Sequence, residues 1–285
     1  MGGSLGKRGA SYAFVIALPF VAIGLVFRGL RVPGVYQSVG AVIFALTALA
    51  VWFLGWRTGV ANQANRRLLA TSGACLMTPF SLIALFWVGL GTPWEATPDE
   101  NAMRYLVLMA AAVAEVMGFV MAREALNKVG ERFFAALCAG TMILAGPLHV
   151  VWSIFNFGMH SGRSRTGEIP SIFLALDEVL DVLLFVSGAL TYIASIFLVV
   201  ATARAGWLGR ISMRVYTVIA CVALLFLVMR GLDFVTPAEL AAPWYATPGF
   251  IAGIPAVPYL IPCLVGAVLL RRAGDQTSGG ADVED

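Results

Sequence analysis

The sequence predicts an all-α integral membrane protein whose single domain is a bundle of eight transmembrane helices. The first observation is composition, since 60% of the 285 residues are hydrophobic and only 12% are charged. Soluble globular proteins carry about 25% charged residues. The second is a mean hydropathy of +0.86 over the whole chain. The third is that the apolar residues come in runs of about 20, the length of a helix that crosses a bilayer.

Eight predominantly apolar segments of that kind follow one another along the chain, and each is predicted to form one membrane-spanning helix. They cover residues 9–27, 35–56, 68–91, 105–122, 133–157, 171–200, 213–229 and 249–270. An even number of crossings places both termini on the same side of the membrane. The bundle is therefore predicted to occupy residues 1–273. Residues 274–285 form an acidic, glycine-rich tail that we expect to be disordered.

The basic residues predict that both termini lie in the cytoplasm, because Lys and Arg are retained on that side of spanning helices. Thirteen of the 19 basic residues lie in the N-terminal tail, in the loops after the second, fourth and sixth segments, or at the C-terminal end: Lys7, Arg8, Arg57, Arg66, Arg67, Arg123, Lys128, Arg132, Arg204, Arg210, Arg214, Arg271 and Arg272. Arg far outnumbers Lys, and Ala, Gly and Val are abundant. This composition is typical of a GC-rich bacterial genome, so a multi-pass protein of a bacterial cytoplasmic membrane is predicted.

An internal match indicates a duplication. The stretch TPWEATP, Thr92–Pro98, recurs four segments later as APWYATP, Ala242–Pro248. The two stretches precede the fourth and eighth segments. Each would therefore come before the last helix of one of two parallel four-helix repeats, over residues 9–122 and 133–272. The alternative is a pair of outer loops that independently use Pro, Trp and Thr as interfacial turn residues.

Three carboxylates interrupt the start of the sixth segment, in the stretch LALDEVLDVLLF. Asp177, Glu178 and Asp181 share one face of a helix, because they are three or four residues apart. As a helix the segment is about 45 Å long, which exceeds the roughly 30 Å hydrocarbon core, so its outer end reaches the headgroups. Carboxylates this close together repel, and they need protonation, a basic partner, a metal ion or water.

A polar stripe on the fifth segment is the predicted partner of these acids. His149, Ser153, Asn156 and His160 recur every three or four residues and so lie on one helix face. A short outer loop joins the fifth and sixth segments, which makes the two helices antiparallel neighbours. We therefore expect His149 or Asn156 to lie close to Asp181.

Two arginines are predicted to complete this outer cluster. Arg28 ends the first segment and Arg230 ends the seventh, both on the outer side. The expected result is an outward-facing polar vestibule on a substrate or proton pathway, formed by Arg28, His149, Asn156, Asp177, Glu178, Asp181 and Arg230. The alternative is a set of interfacial charges that pair with one another or extend to water at the helix ends.

Glu115 is a candidate of a different kind, because it lies in the middle of the fourth segment, within AAAVAEVMGFVMA. A carboxyl group at that depth is expected to be protonated or paired, and it is the predicted titrating group of the pathway. The structural alternative is a neutral Glu that hydrogen-bonds across a helix contact. In the eighth segment Pro255, Pro258 and Pro262 each remove a backbone donor, which predicts a bent or broken helix.

The sequence carries no metal, cofactor or nucleotide motif, so no cofactor and no bound metal are expected. The four cysteines lie singly inside segments, without a C-x-x-C pair. Two histidines are too few for paired haems, and the H-E-x-x-H zinc motif is missing, as is a P-loop for ATP. The expected partners are the lipid bilayer and a small solute or ion. Nucleic acid is not expected, and no particular oligomeric state is predicted.

The function predicted from these features is that of a non-enzymatic carrier or channel-like protein for a small solute, an ion or protons. Two alternatives remain at this point. One is a membrane enzyme that acts on lipid or isoprenoid at the outer leaflet, with Asp177 and Asp181 holding a divalent metal ion and His149 as general base. The other is a structural or sensory subunit whose polar residues only hold helices together.

Overall fold

All elements of the described chain are helical. The computed structural model describes residues 6, 9–14, 17, 35–57, 64–89, 93, 95–231 and 244–275. Its longer elements are α1 (Val35–Val51), which continues into a π-helical turn (Trp52–Trp56), α2 (Ala64–Gly89), α3 (Pro98–Asn127), α4 (Phe133–Thr166), α5 (Ser171–Ala175), α6 (Asp177–Arg204), α7 (Arg210–Gly231), α8 (Ala246–Gly253), a 3₁₀ turn (Val257–Tyr259) and α9 (Leu260–Asp275).

Five helical stretches in the described residues are long and apolar enough to cross a membrane. They are α3, α4, α6, α7 and the stretch Val257–Gly274 formed by the 3₁₀ turn with α9. The predicted class, a helical membrane-spanning protein, is confirmed. Most of the first predicted segment (9–27), Arg28 and nearly all of the predicted tail (274–285) lie outside the described residues.

The helix α3 is longer than the fourth predicted segment, because it begins at Pro98 and the segment begins at residue 105. A capping box fixes this start. The hydroxyl of Thr97 accepts a hydrogen bond from the Glu100 backbone N–H at 3.3 Å, and the Glu100 carboxylate accepts one from the Thr97 N–H at 2.8 Å. The helix therefore includes Arg104, which the predicted boundary had left outside the membrane segment.

Two predicted segments are divided in the structure. The sixth is interrupted at Leu176, so that Asp177 and Glu178 stand in the first turn of α6, where acidic side chains are favoured by the helix dipole. The eighth is broken between α8 and α9, as its prolines predicted. At that break the Ile251 carbonyl accepts a hydrogen bond from the Ile254 N–H, and the Ile254 carbonyl accepts one from the Val257 N–H.

The two stretches that suggested a duplication have different local structures. Thr97 caps α3 and Pro98 is its first residue. The equivalent Thr247 and Pro248 lie inside α8, within its first turns. The helix that follows the first stretch is continuous for 30 residues, whereas the second is followed by the eight residues of α8 and then by the break.

The described helices pack mainly on their neighbours in the chain, and α9 returns to α2. Consecutive helices are neighbours from α2 to α4, α6 packs on α4, and α9 lies against α2 and the π-helical turn. Two thirds of the apolar stretch of α9 is buried (67%), against 11% in α7, so α9 is the more enclosed of the two. The α2–α9 crossing is close because both helices carry glycine there. A Cβ atom on Gly73 would lie 2.7 Å from the carbonyl oxygen of Gly266.

One end of the bundle carries basic residues that were predicted to be cytoplasmic, among them Arg204 and Arg272. We call it the basic end. There the Arg204 guanidinium forms an ion pair with Glu131 at 2.6 Å, between α6 and the start of α4. The guanidinium of Arg272 lies 5.6 Å from the centre of the Trp207 ring, which joins α9 to the α6–α7 turn. At the opposite end, Asp99 of α3 accepts a hydrogen bond from Ser164 of α4.

Candidate functional site

Glu115 is the central feature of the candidate site. It lies near the middle of α3, and its side chain is fully buried. Neither of its carboxyl oxygens has a hydrogen-bond partner among the residues that the structure describes. An ionised carboxylate in such surroundings is strongly disfavoured, so the group needs a proton or a bound cation to neutralise it.

Contacts of residues near Glu115 in α3 show which helical elements flank this part of the helix. On the α2 side, the Ser72 hydroxyl donates to the Gly118 carbonyl at 2.9 Å and draws α2 against α3. On the α4 side, Gly146 leaves room for Val116. The hydroxyl of Tyr259, at the break before α9, is within electrostatic range of the carboxyl group.

Tyr259 links Glu115 to the first residue of the predicted polar stripe. Its hydroxyl shares a hydrogen bond with Nδ1 of His149 at 3.2 Å, and both side chains are buried. Nε2 of His149 has no hydrogen-bond partner within the described part of the chain. A hydrogen-bonded Tyr–His pair therefore lies within electrostatic range of the buried carboxyl group, through its Tyr259 member.

Beyond His149, aromatic rings continue toward the C-terminal end of α4. The His149 and Trp152 ring centres are 5.4 Å apart, those of Trp152 and Tyr105 are 5.2 Å apart, and Tyr105 stacks on His160 at 5.5 Å. We call Tyr259, His149, Trp152, Tyr105 and His160 the ring column. It connects the depth of Glu115 with the last turns of α4 through buried side chains.

In the described residues no hydrogen bond joins His149 or Asn156 to Asp181. His149 shares a hydrogen bond with Tyr259, and the Asn156 side-chain amide donates to the carbonyl of Trp152 in its own helix at 3.0 Å. His160, at the other end of the stripe, stacks on Tyr105 of α3, which is within electrostatic range of Asp177 and Asp181. Buried aromatic partners therefore cover both imidazole rings without exposing them to lipid.

The three acids of α6 lie on the surface. Asp177, Glu178 and Asp181 are all exposed, where water compensates their charges. Asp181 is within electrostatic range of Arg230, whose guanidinium lies 5.2 Å from the centre of the Phe250 ring. The predicted vestibule is thus divided into a buried part on α4 and an exposed part on α6. Its remaining member, Arg28, is outside the described residues.

Sequence reasoning missed Arg104 and Tyr259. Arg104 is fully buried in the second turn of α3, within electrostatic range of Tyr105 and His160. The capping-box pattern from Thr97 to Glu100 was the signal that would have moved the start of the helix and placed Arg104 inside it. For Tyr259 the only local signal is its position among the prolines of the eighth segment.

The described residues contain no group of three or more His, Cys, Asp or Glu side chains arranged to hold a metal ion. Of the residues in the enzyme alternative, His149 is buried while Asp177 and Asp181 are exposed. The described residues offer a buried carboxyl group in a long apolar helix, within electrostatic range of a Tyr–His hydrogen bond. No protein-family model matches the chain, and no curated protein or solved structure is significantly similar to it.

Proposed function

We propose that this protein is a carrier or channel-like protein that moves protons, alone or with a small solute or ion, across a membrane. The observation that carries the proposal is the fully buried carboxyl group of Glu115, without a hydrogen-bond partner in the described residues. On insertion scales an ionised Asp at the bilayer centre costs about 2.5–3.5 kcal/mol, and such groups mark ion and proton paths. Glu115 therefore takes up and releases a proton during transport.

The surroundings of Glu115 favour transport over the two alternatives. A purely structural Glu would hydrogen-bond across a helix contact, and no such bond is found among the described residues. A lipid-modifying enzyme at the outer leaflet would need its acids and its base in one environment, whereas His149 is buried and the acids of α6 are exposed. The broken helix beside Glu115 is a common device of transporters, where backbone groups at a break line the binding site.

The proposed arrangement in the membrane has eight crossings and two cytoplasmic termini, in a bacterial cytoplasmic membrane. The clustering of basic side chains at the basic end supports this orientation. The route for protons then leads from the outer end of α4, along the buried polar residues beside the ring column, to Glu115. A parallel four-plus-four duplication is supported by the stretches Thr92–Pro98 and Ala242–Pro248.

Proton flux in proteoliposomes tests this function. The purified protein is reconstituted with a trapped pH-sensitive dye, and a potassium gradient with valinomycin drives proton entry. We expect acidification with the wild type and its loss in Glu115→Gln, which keeps the size of the side chain but cannot ionise. Glu124→Gln is the matched control, because Glu124 is an exposed carboxylate of the same helix, near the basic end.

Two results would contradict the proposal. One is wild-type protein that conducts no more protons than empty liposomes. The other is Glu115→Gln protein that retains the wild-type flux, since Glu115 would then not be the titrating group.

A further inference from the structure

Two helices whose side chains come within electrostatic range of Glu115 contain proline. Pro79 lies inside α2, and Pro262 lies in the first turn of α9. Proline has no N–H, so Pro79 cannot donate to the carbonyl group of Cys75, four residues earlier in α2. For the same reason Pro262 cannot donate to the carbonyl group of Pro258, which lies in the 3₁₀ turn before α9.

The α2–α3 contact places the first of these carbonyl groups. Ser72 bonds to the Gly118 carbonyl, and a Cβ atom on Gly118 would lie 3.0 Å from the backbone nitrogen of Leu76. Because α2 and α3 are consecutive antiparallel helices, the turn of α3 before Gly118 lies beside the turn of α2 after Leu76. Glu115 is in that turn, within electrostatic range of the Cys75 side chain.

The α2–α9 contact brings the second carbonyl group to the same depth. The Gly73–Gly266 crossing fixes the register, and one turn earlier on α9 the Cys263 side chain is within electrostatic range of Glu115. Pro262 precedes Cys263, and Tyr259 closes the other side. The proline-containing turns of α2 and α9 therefore lie near the depth of Glu115.

The chemistry of these groups suits a cation that prefers oxygen. A carboxylate and backbone carbonyl oxygens are hard ligands, and broken transporter helices use such carbonyls for Na⁺. One carboxylate balances one positive charge, whereas a divalent ion would leave an uncompensated buried charge. The titratable groups that face Glu115 in the described structure are Cys75, Cys263 and Tyr259, with His149 behind Tyr259, and none of them is a permanent cation.

We propose that Glu115 and the carbonyl groups of Cys75 and Pro258 form a binding site for a monovalent cation, Na⁺, for which a proton competes. This site rests on the proposed function, because it makes Glu115 the point at which a proton is exchanged for the cation. The protein would then couple the two ions by alternate occupation of one carboxyl group.

Binding of radioactive ²²Na⁺ to the purified protein in detergent tests the site. We expect saturable binding whose affinity rises about tenfold per pH unit over the range in which Na⁺ displaces one proton from Glu115. Glu115→Gln should abolish it, while Glu124→Gln should leave it unchanged. Saturable binding that persists in Glu115→Gln would overturn the proposal.

A pair of proline variants tests the carbonyl ligands. Pro79→Ala restores an N–H donor to the Cys75 carbonyl, and we expect it to weaken ²²Na⁺ binding roughly fivefold, the equivalent of one hydrogen bond. Pro147→Ala is the matched control, because Pro147 is also inside a helix but is exposed, and Ile143 four residues earlier is exposed too. Equal effects of the two variants would show that the carbonyl of Cys75 is not a ligand.

The cation site and the proposed function fail in different ways. Proton flux that depends on Glu115, without ²²Na⁺ binding at any pH, would refute the site and leave proton transport standing. Binding of ²²Na⁺ that depends on Glu115, in a protein that moves no protons, would refute proton transport and leave the site standing.

Discussion

At the scale of single residues, the carboxyl groups of this protein fall into two classes that the sequence alone does not separate. Asp177, Glu178 and Asp181 are exposed at the start of α6. Glu115 is fully buried, and an ionised carboxylate is strongly disfavoured there. We therefore expect Glu115 to carry a proton at neutral pH.

Infrared spectroscopy can detect this proton. In the sodium-free protein at neutral pH we expect a band from a protonated carboxylic acid that disappears in Glu115→Gln. Glu178→Gln is the control, and it should keep the band because it replaces an exposed carboxyl group and leaves Glu115 in place. A spectrum of Glu115→Gln that still contains the band would mean that another group carries the proton.

The Tyr259–His149 hydrogen bond permits a second prediction. Tyr259→Phe removes the hydroxyl and leaves Nδ1 of His149 buried without its partner, so we expect the free energy of unfolding in detergent to fall by about 1–3 kcal/mol. The variant His149→Phe and the double variant with Tyr259→Phe complete the comparison, because the double variant leaves no imidazole without its partner. The sum of the two single decreases in the free energy of unfolding should exceed the decrease in the double variant by roughly 0.5–3 kcal/mol. If the two single decreases simply added up to that of the double variant, the contact would be contradicted.

At the scale of elements, the α2–α9 crossing holds the candidate site together. Gly73 and Gly266 let the two backbones touch, and small residues at such crossings are what close helix packing in membranes requires. This contact sets the depth of Pro262 and Tyr259 relative to Glu115. The site therefore depends on two glycines that take no part in its chemistry.

Gly73→Ala should disturb this crossing. The new methyl group would meet the Gly266 carbonyl oxygen at 2.7 Å and the Leu270 nitrogen at 3.0 Å, both backbone atoms that cannot rotate away. We expect a loss of about 1–3 kcal/mol in the free energy of unfolding, as for other overpacked cores.

The matched control is Gly140→Ala in α4, where a Cβ atom meets nothing within 4 Å. Replacing that glycine should be neutral or stabilise the helix by up to about 1 kcal/mol. If both variants had the same stability as the wild type, the close α2–α9 approach would be wrong.

At the scale of the whole molecule, the distribution of charge distinguishes the two ends of the bundle. The ion pair of Arg204 with Glu131 and the contact of Arg272 with Trp207 belong to the same end, which is rich in Arg. The opposite end carries the exposed acids of α6. Retention of basic residues in the cytoplasm would therefore place the acids outside.

Reporter fusions test this orientation in bacterial cells. Alkaline phosphatase is active only outside the cytoplasm, so a fusion after Arg272 should be inactive. A fusion after Glu168, in the exposed turn between α4 and α5, should be active and serves as the positive control. The reverse pattern would invert the orientation and with it the proposed direction of the proton path.

The sequence predicted well what depends on local composition. Helices occupy each predicted segment that the structure describes, and the break before α9 falls among Pro255, Pro258 and Pro262. It predicted less well where helices begin, since Arg104 was left outside α3 although the capping box marked the true start. Hydropathy reports which residues enter a membrane, but helix ends are set by hydrogen bonds to a few side chains.

The sequence by itself determined that this is a helical membrane protein with a carboxyl group in the middle of one spanning helix. Only the tertiary structure decided what faces that helix. His149 pairs with Tyr259, far away in the chain, and not with the acids of the next helix. The physical reason is that periodicity fixes which residues share a helix face, while the rotation of that face depends on packing against helices distant in sequence.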